Sequence, residues 1–190
     1  MGCQMNVYDS DVLAQTLIAL GFSPVDRPES ANLILLNTCV VRAKAEQKAF
    51  SFLGRMVKLK RRNPALRVGV LGCLAQREGK GLFSRFPFVD VVAGPRELER
   101  IAEWLMRENA SPQKMVATSL TPAPPHPAIY PGYFTSRVAG FISIMQGCNN
   151  FCSYCVVPYV RGREISRPPE QILSEASDLL AQGVREITLL

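Results

Sequence analysis

Three cysteines within eight residues constrain this chain more than any other feature of its sequence. Cys148, Cys152 and Cys155, the loop cysteines, follow a C-x3-C-x2-C pattern directly after the apolar run of residues 138–145. Short-spaced thiolates of this kind hold iron–sulfur clusters, and three of them leave the fourth iron of a [4Fe–4S] cubane open. An open metal position is typical of a catalytic site, whereas structural sites are closed. The segment therefore predicts a loop that holds a reactive cluster.

Other interpretations of the loop cysteines have less support. A zinc site usually draws four ligands from two C-x2-C pairs, and no fourth cysteine lies nearby. Disulfides need a secreted context, but the start of the chain lacks the basic and apolar regions of a signal peptide. Zinc and chance clustering stay open as alternatives. Six cysteines without a signal peptide indicate reduced thiols in the cytoplasm.

Apolar runs alternate with amphipathic segments through the first half of the chain. This alternation implies a parallel sheet covered by helices on both faces, which is an α/β fold. No apolar run reaches the length of a transmembrane helix, and we expect no membrane contact. The patterns predict strands at residues 31–36, 68–71 and 89–93, and helices at 42–62, 74–85 and 97–108, after a first helix that is capped at Asp9 and Ser10 and ends at Gly21.

The other three cysteines, Cys3, Cys39 and Cys73, are spaced by about one β–α unit. Their separations are 36 and 34 residues, and Cys39 and Cys73 each directly follow a predicted strand. The carboxyl ends of parallel strands meet at one edge of a sheet, where ligands bind. One cysteine in such a place is usually an ordinary buried thiol. Three at this spacing predict a second iron–sulfur cluster, and we call them the sheet-edge cysteines.

Six prolines between residues 109 and 137 separate two regions of the chain. They predict a stiff, extended linker at 109–137, in which the only histidine, His126, is exposed to solvent. Residues 1–108 then form the first domain, and a second domain starts at residue 138. Its order of strand, cysteine loop, helix and strand is that of the first β/α unit of a barrel.

The charge of the chain favours an anionic partner. The net charge is +6, which agrees with RNA binding but does not establish it. Arg161 and Arg163 flank Gly162, and they either contact a phosphate or carboxylate or lie in a solvated loop. The basic run at 58–62 either attracts RNA or offsets the dipole at the end of a helix, and the second interpretation is preferred.

These motifs together resemble the methylthiotransferase family of radical S-adenosylmethionine (SAM) enzymes. The C-x3-C-x2-C spacing, with Tyr154 before its last cysteine, is similar to the radical-SAM signature. Cys-Gln-Met-Asn at residues 3–6 resembles the family branch that acts on tRNA. Branches acting on ribosomal protein S12 or on threonylcarbamoyl-adenosine in tRNA, and a non-catalytic iron–sulfur fragment, remain alternatives. The likeness is also carried by Asn37-Thr-Cys39, Gly72-Cys73, Ala75-Gln76 and residues 146–168.

The resemblance implies two [4Fe–4S] clusters and SAM as cofactors. The loop cysteines would hold the radical-SAM cluster, whose open iron chelates SAM. Tyr154 would lie against SAM, although a packing role fits that ring almost as well. The sheet-edge cysteines, Cys3, Cys39 and Cys73, would hold an auxiliary cluster that donates or carries sulfur.

The resemblance also implies the fold, the reaction and the partners. The fold is a Rossmann-like parallel-sheet domain followed by the first β/α unit of a radical-SAM barrel. The reaction converts N6-isopentenyladenosine at position 37 of tRNA, next to the anticodon, to its 2-methylthio derivative. A flavodoxin- or ferredoxin-like protein would supply electrons, and we expect a cytoplasmic monomer.

Two departures from the family pattern bear on these expectations. Only Met1 and Gly2 precede Cys3, where the family has a strand. The rest of the barrel and a C-terminal RNA-binding domain are also absent. We therefore expect a weakly anchored Cys3 and a polypeptide that does not turn over by itself.

Overall fold

The N-terminal part of the protein is a parallel sheet of four strands in the order β1-β2-β3-β4. The computed structural model describes residues 2–41, 43–107, 113–121 and 137–190. The predicted α/β architecture is confirmed, because every pairing in this sheet is parallel. The strands are β1 Leu33–Thr38, β2 Arg67–Gly72, β3 Val91–Ala93 and β4 Met115–Ala117.

Helices cover both faces of this sheet. Successive side chains of β2 point to opposite faces, and the apolar ones on each face pack against a helix. Val70 packs with Leu53 of the second helix on one face, and Leu71 packs with Leu13 and Ile101 of the first and fifth helices on the other. Within the described ranges, no helix combines the length and apolar character that a membrane span requires. The helices are α1 Gln4–Ala19, α2 Ala43–Arg62, α3 Cys73–Glu78, α4 Gly81–Arg85 and α5 Glu99–Arg107.

Two predicted helices differ from the structure. Helix α1 begins at Gln4, so Asp9 does not cap it and is instead a buried residue within it. Cys3, in extended backbone conformation, takes the N-cap position. The predicted helix at 74–85 is divided into α3 and α4, because Gly79 adopts a φ of +51°, which does not continue a helix.

Part of the predicted linker belongs to the sheet. Residues 115–117 form β4 and pair with β3, so the prediction that the linker runs unbroken from 109 to 137 is wrong at this strand. Trp104 Nε1 donates a hydrogen bond to the carbonyl of Gln113 at 3.0 Å and holds the start of the segment against α5. His126 lies outside the described residues, as do the other positions of the linker except 113–121 and 137.

The second region has the predicted β/α order. Strand β5 pairs in parallel with β8, and Leu179 of the connecting helix packs against Ile142 and Val184. The predicted strand at 138–145 is divided into two, of which the second pairs antiparallel with a short strand after the cysteine loop. The elements are β5 Ala139–Ile142, β6 Met145–Gln146, α6 Val157–Arg161, β7 Ile165–Ser166, α7 Pro169–Ala181 and β8 Glu186–Leu189.

Candidate metal centres

Cys39 and Cys73 leave the sheet side by side. Thr38 and Gly72, the last residues of β1 and β2, are paired in register, and each cysteine is the next residue along its chain. Both side chains are buried, with 1% and 4% of their surface exposed. The parallel strands thus bring two thiols that are 34 residues apart to one edge, as their spacing predicts.

Asn6 connects Cys3 to the same edge of the sheet. Its Oδ1 accepts from the Cys3 thiol at 3.3 Å, and its Nδ2 donates to Asn37 Oδ1 at 2.8 Å and to the Thr38 carbonyl at 3.2 Å. Asn37 in turn donates to the Asn6 carbonyl at 3.0 Å. Asn6 is 3% exposed, so these bonds lie largely out of water. In the sequence, Asn6 and Asn37 were noted only as members of two motifs. Their hydrogen bonds to each other could not be predicted, because they depend on tertiary contacts.

Gly72 leaves room for this network. A Cβ at residue 72 would lie 2.3 Å from Asn37 Oδ1 and 2.7 Å from the Thr38 carbonyl oxygen. Its φ of +82° is also one that residues with side chains rarely adopt. The glycine before Cys73 is therefore required by both the backbone and its neighbours.

A buried ion pair joins the two regions of the chain beside the sheet-edge cysteines. Arg161 Nη2 lies 2.6 Å from Asp9 Oδ2, and their side chains are 7% and 2% exposed. Burial raises the pKa of the Asp9 carboxyl, and the Arg161 charge opposes that rise. Burial alone would lower the pKa of Arg161, but the negative charge of Asp9 raises it overall and keeps the guanidinium charged. A solvated position for Arg161 is therefore wrong, and contact of Arg161 or Arg163 with a phosphate or carboxylate of a ligand stays a prediction.

The Arg161 charge also acts on the thiols. Burial raises the pKa of the Cys73 thiol, the charge of Arg161 and a side-chain hydrogen bond with it oppose the rise, and Asp9 and Cys39 add to it. Cys3 and Cys73 both help to raise the pKa of Arg161. The cation therefore interacts electrostatically with two of the three sheet-edge cysteines.

The loop cysteines lie in a more open setting. Cys152 is exposed, and Cys148 and Cys155 are half-buried. Gly147, with a φ of +84°, starts the loop, and a Cβ there would lie 2.2 Å from the Arg163 carbonyl oxygen. The Cys148 amide donates to the Gly162 carbonyl at 3.1 Å, and the Cys155 amide donates to the Cys152 carbonyl at 2.9 Å. Backbone bonds thus tie the start of the loop to Gly162 and form a turn between Cys152 and Cys155, while Cys152 itself faces solvent.

Aromatic rings and an arginine border this loop. Phe151 and Tyr159 pack edge to face with their centroids 5.8 Å apart, and the Arg163 guanidinium lies 5.4 Å from the Phe151 ring. Arg163 is exposed, unlike Arg161. Tyr154 is 90% exposed, so its ring is not part of the protein core and is accessible to a ligand.

Arg96 makes a second connection between the regions. Its Nη1 donates to the Leu120 carbonyl at 2.7 Å, and its Nη2 donates to the Arg163 carbonyl. Gly162 allows this approach, because a Cβ there would lie 3.0 Å from Arg96 Cζ. No local pattern in the sequence links Arg96 to the cysteine loop, so its role was not predicted.

The donor atoms at the sheet edge fit an iron–sulfur cluster. Among the residues that the structure describes, no three His, Cys, Asp or Glu side chains surround a single metal-ion position. A cubane takes each thiolate on a different iron, so its ligands stand farther apart than those of one ion. Arg161 Nη1 is buried without a hydrogen-bond partner among the described residues. A group with anionic sulfur between the thiols would satisfy that donor.

The basic run at 58–62 lies away from both cysteine sets. It forms the last turn of α2, next to the amino ends of β2 and β3, whereas the sheet-edge cysteines follow carboxyl ends. Lys60 Nζ is 3.0 Å from Asp90 Oδ2 and borders a cavity of about 460 Å³ with Arg61, Arg85 and Phe86. The preferred interpretation of the run, that it offsets the helix dipole, stays a prediction.

Comparisons with known proteins agree with this division into two regions. Residues 1–94 match uncharacterized protein family UPF0004, and residues 142–190 match the radical SAM superfamily. The whole chain is 50% identical to the tRNA-2-methylthio-N(6)-dimethylallyladenosine synthase of Desulfosudis oleivorans and 44% identical to that of Syntrophotalea carbinolica. It spans only 41% and 43% of the length of those two proteins.

A solved structure shows the same fold. It is that of the radical SAM methyltransferase TsrM from Kitasatospora setae, determined with tryptophan and a SAM analogue. The match has a TM-score of 0.56 at 20% identity and covers 96% of this chain and 44% of TsrM. At this identity the likeness concerns the fold alone.

Proposed function

Because the chain belongs to the radical-SAM methylthiotransferase family, whose N-terminal portion it spans, we propose that it serves the methylthiolation of tRNA. The substrate is N6-isopentenyladenosine at position 37, and the product is its 2-methylthio derivative. One observation carries this proposal: the relatives that are 44–50% identical over the whole chain bear the name of that tRNA-modifying activity.

Two groups of thiols have separate tasks in this proposal. The loop cysteines, which are accessible from solvent, hold the [4Fe–4S] cluster that binds SAM. The sheet-edge cysteines, of which Cys39 and Cys73 are buried and Cys3 is exposed, hold the auxiliary [4Fe–4S] cluster. When bound, the clusters supply the electron that cleaves SAM and the sulfur that is transferred.

The protein's own groups position these cofactors. Gly147 and the Cys148–Gly162 hydrogen bond fix the start of the loop, and the exposed ring of Tyr154 is free to stack on SAM. Asn6 and Asn37 hold the sheet-edge segments together. The net charge of +6 suits a tRNA partner. A flavodoxin- or ferredoxin-like donor and a cytoplasmic monomer complete the proposal.

Electron paramagnetic resonance (EPR) tests the SAM site. The chain is reconstituted with iron and sulfide without oxygen and reduced with dithionite, and SAM is then added. We expect SAM to change the EPR signal, and Cys148→Ala to abolish that change. A signal indifferent to SAM would indicate an iron–sulfur protein of another class, such as an electron carrier.

Mass spectrometry tests the substrate. Nucleosides of tRNA and ribosomal protein S12 are compared between a strain that lacks the gene and its parent. We expect only the 2-methylthio group of the isopentenyladenosine derivative to disappear. Loss of the modification from S12, or from threonylcarbamoyl-adenosine, would assign the protein to another branch of the family.

A further inference from the structure

Arg161 belongs to the second region of the chain but is buried against the first. It ends α6, which begins two residues after Cys155, so it is connected to the cysteine loop by a short stretch of chain. Helix α6 packs against α3, whose first residue is Cys73. Arg161 is 5% exposed although its neighbour Arg163 is exposed. The chain therefore places a cation of the second region against the thiols of the first.

The Asp9–Arg161 pair is hard to explain as a stabilising device. Removing two charges from water costs several kcal/mol per ion, and a buried pair is often no more stable than apolar residues of similar volume. Asp9 also satisfies only part of the guanidinium. Nη2 contacts the carboxylate at 2.6 Å, whereas Nη1 is buried with no acceptor among the described residues.

The surroundings of Nη1 indicate which acceptor it serves. The negative groups that raise the pKa of Arg161 are Asp9, Cys73 and Cys3, and Arg96 is a second cation that interacts with it. Thiolates and the inorganic sulfides of a cluster accept hydrogen bonds, and such bonds together with nearby charge set the reduction potential of a cluster. An arginine presents several donors in a fixed plane, so it can bind a carboxylate and a sulfur atom at once.

We propose that Arg161 is a positioning residue for the auxiliary cluster, to which its Nη1 donates a hydrogen bond while Asp9 holds its Nη2. This inference rests on the proposed function, because it requires a cluster on the sheet-edge cysteines. The arginine raises the reduction potential of that cluster, since a cation beside an anionic cluster favours the added electron. It also links the occupied sheet edge to α6 and to the cysteine loop that precedes it.

The test isolates the auxiliary cluster. In a background with Cys148→Ala, Cys152→Ala and Cys155→Ala, the reconstituted chain is titrated with dithionite and the cluster is followed by EPR. Into this background we introduce Asp9→Asn together with Arg161→Gln, which removes both charges and leaves no unpaired ion. We expect the midpoint potential to fall by about 59 mV or more, a tenfold change in the one-electron equilibrium.

A second buried ion pair supplies the matched control. Arg167 Nη1 lies 2.6 Å from Glu175 Oε2, with side chains 6% and 4% exposed. Arg167→Gln with Glu175→Gln therefore removes an equally buried pair, but no thiol is among the groups that shift the pKa of Glu175. We expect the potential to stay within measurement error of the background, and an equal fall in both double variants would overturn the proposal.

The remaining outcomes separate the possible failures. A background chain that binds no iron would refute the auxiliary cluster, and with it the proposed function. A cluster whose potential is the same with and without Arg161 would refute the inference alone. If Asp9→Asn with Arg161→Gln does not fold, Arg161→Lys decides, because it keeps the charge but loses the planar second donor. We then expect a smaller fall in potential, and an unchanged potential would overturn the proposal.

Discussion

The two cysteine sets have the same ligand chemistry in different structural settings. Cys39 and Cys73 follow paired strands and are almost fully buried, whereas Cys3 is exposed and Asn6 links it to Asn37 and Thr38 of β1. The loop cysteines lie between short elements, with Cys152 in solvent. In many proteins the reactive residues lie on an exposed loop, and a rigid scaffold holds that loop in position. The comparison indicates a sheet edge that is arranged before a cluster arrives, and a loop that a ligand can reach.

Removing one cysteine from each set tests the comparison most strongly. We expect Cys148→Ala and Cys73→Ala each to lose about four of about eight iron atoms per chain, because each removes one ligand of a different [4Fe–4S] cluster. Only Cys148→Ala should abolish the effect of SAM on the EPR spectrum. Iron analysis and EPR measure both results. If either change removed all of the iron, the two sites would not be independent.

Thiol labelling should distinguish the sets in the metal-free chain. We expect iodoacetamide to modify Cys152 at least about 100-fold faster than Cys39 or Cys73, because buried groups react only after local opening. The reactive species is the thiolate, and burial raises the pKa of Cys73, so its labelling should accelerate at higher pH than that of an ordinary thiol. Mass spectrometry of peptides gives the rates. Similar rates at Cys73 and Cys152 would show that the sheet edge is not arranged in advance.

Two glycines with positive φ provide a stability comparison. We expect Gly72→Ala to lower the free energy of unfolding by about 3 kcal/mol, from the left-handed backbone and from displacement of Asn37. Gly147→Ala meets equally close carbonyl oxygens, but we expect it to displace the exposed loop and to lower global stability less. Urea unfolding measures both variants.

Gly21→Ala is the control for the glycine comparison. Gly21 has a φ of +88°, and a Cβ there would meet nothing within 4 Å among the described residues. It should therefore lose only the backbone contribution, about 1 kcal/mol. If Gly72→Ala cost no more than Gly21→Ala, the close contacts with Asn37 and Thr38 would not constrain the sheet edge.

The smallest expected difference is in the stability of two variants that each lack one asparagine. Asn6→Ala removes hydrogen bonds to Asn37 and to the Thr38 carbonyl in a buried site, and we expect a loss of about 1–3 kcal/mol. Asn149 of the cysteine loop accepts one exposed hydrogen bond, from the Glu164 amide at 3.2 Å, and Asn149→Ala should stay within about 0.5 kcal/mol. Thermal and urea unfolding compare the two variants. Equal losses of unfolding free energy would contradict the difference between the buried network around Asn6 and the open cysteine loop.

The amino-acid sequence by itself determined the parallel sheet, the placement of Cys39 and Cys73, and the loop cysteines. Strand and helix periodicity are local properties, and parallel topology carries strand ends to one edge. The same patterns failed for β4, because three residues among prolines and polar side chains carry too little periodicity to identify a strand.

Only the tertiary structure decided what surrounds the thiols. Asp9 and Arg161 are 152 residues apart, and Asn6 and Thr38 are 32 apart. In the sequence, Asp9 looked like a helix cap and Arg161 like one of two arginines beside a glycine. Whether a charged side chain is solvated or buried depends on which elements pack over it, and no local pattern records that. The tertiary fold alone therefore decided that a buried cation lies beside the sheet-edge cysteines.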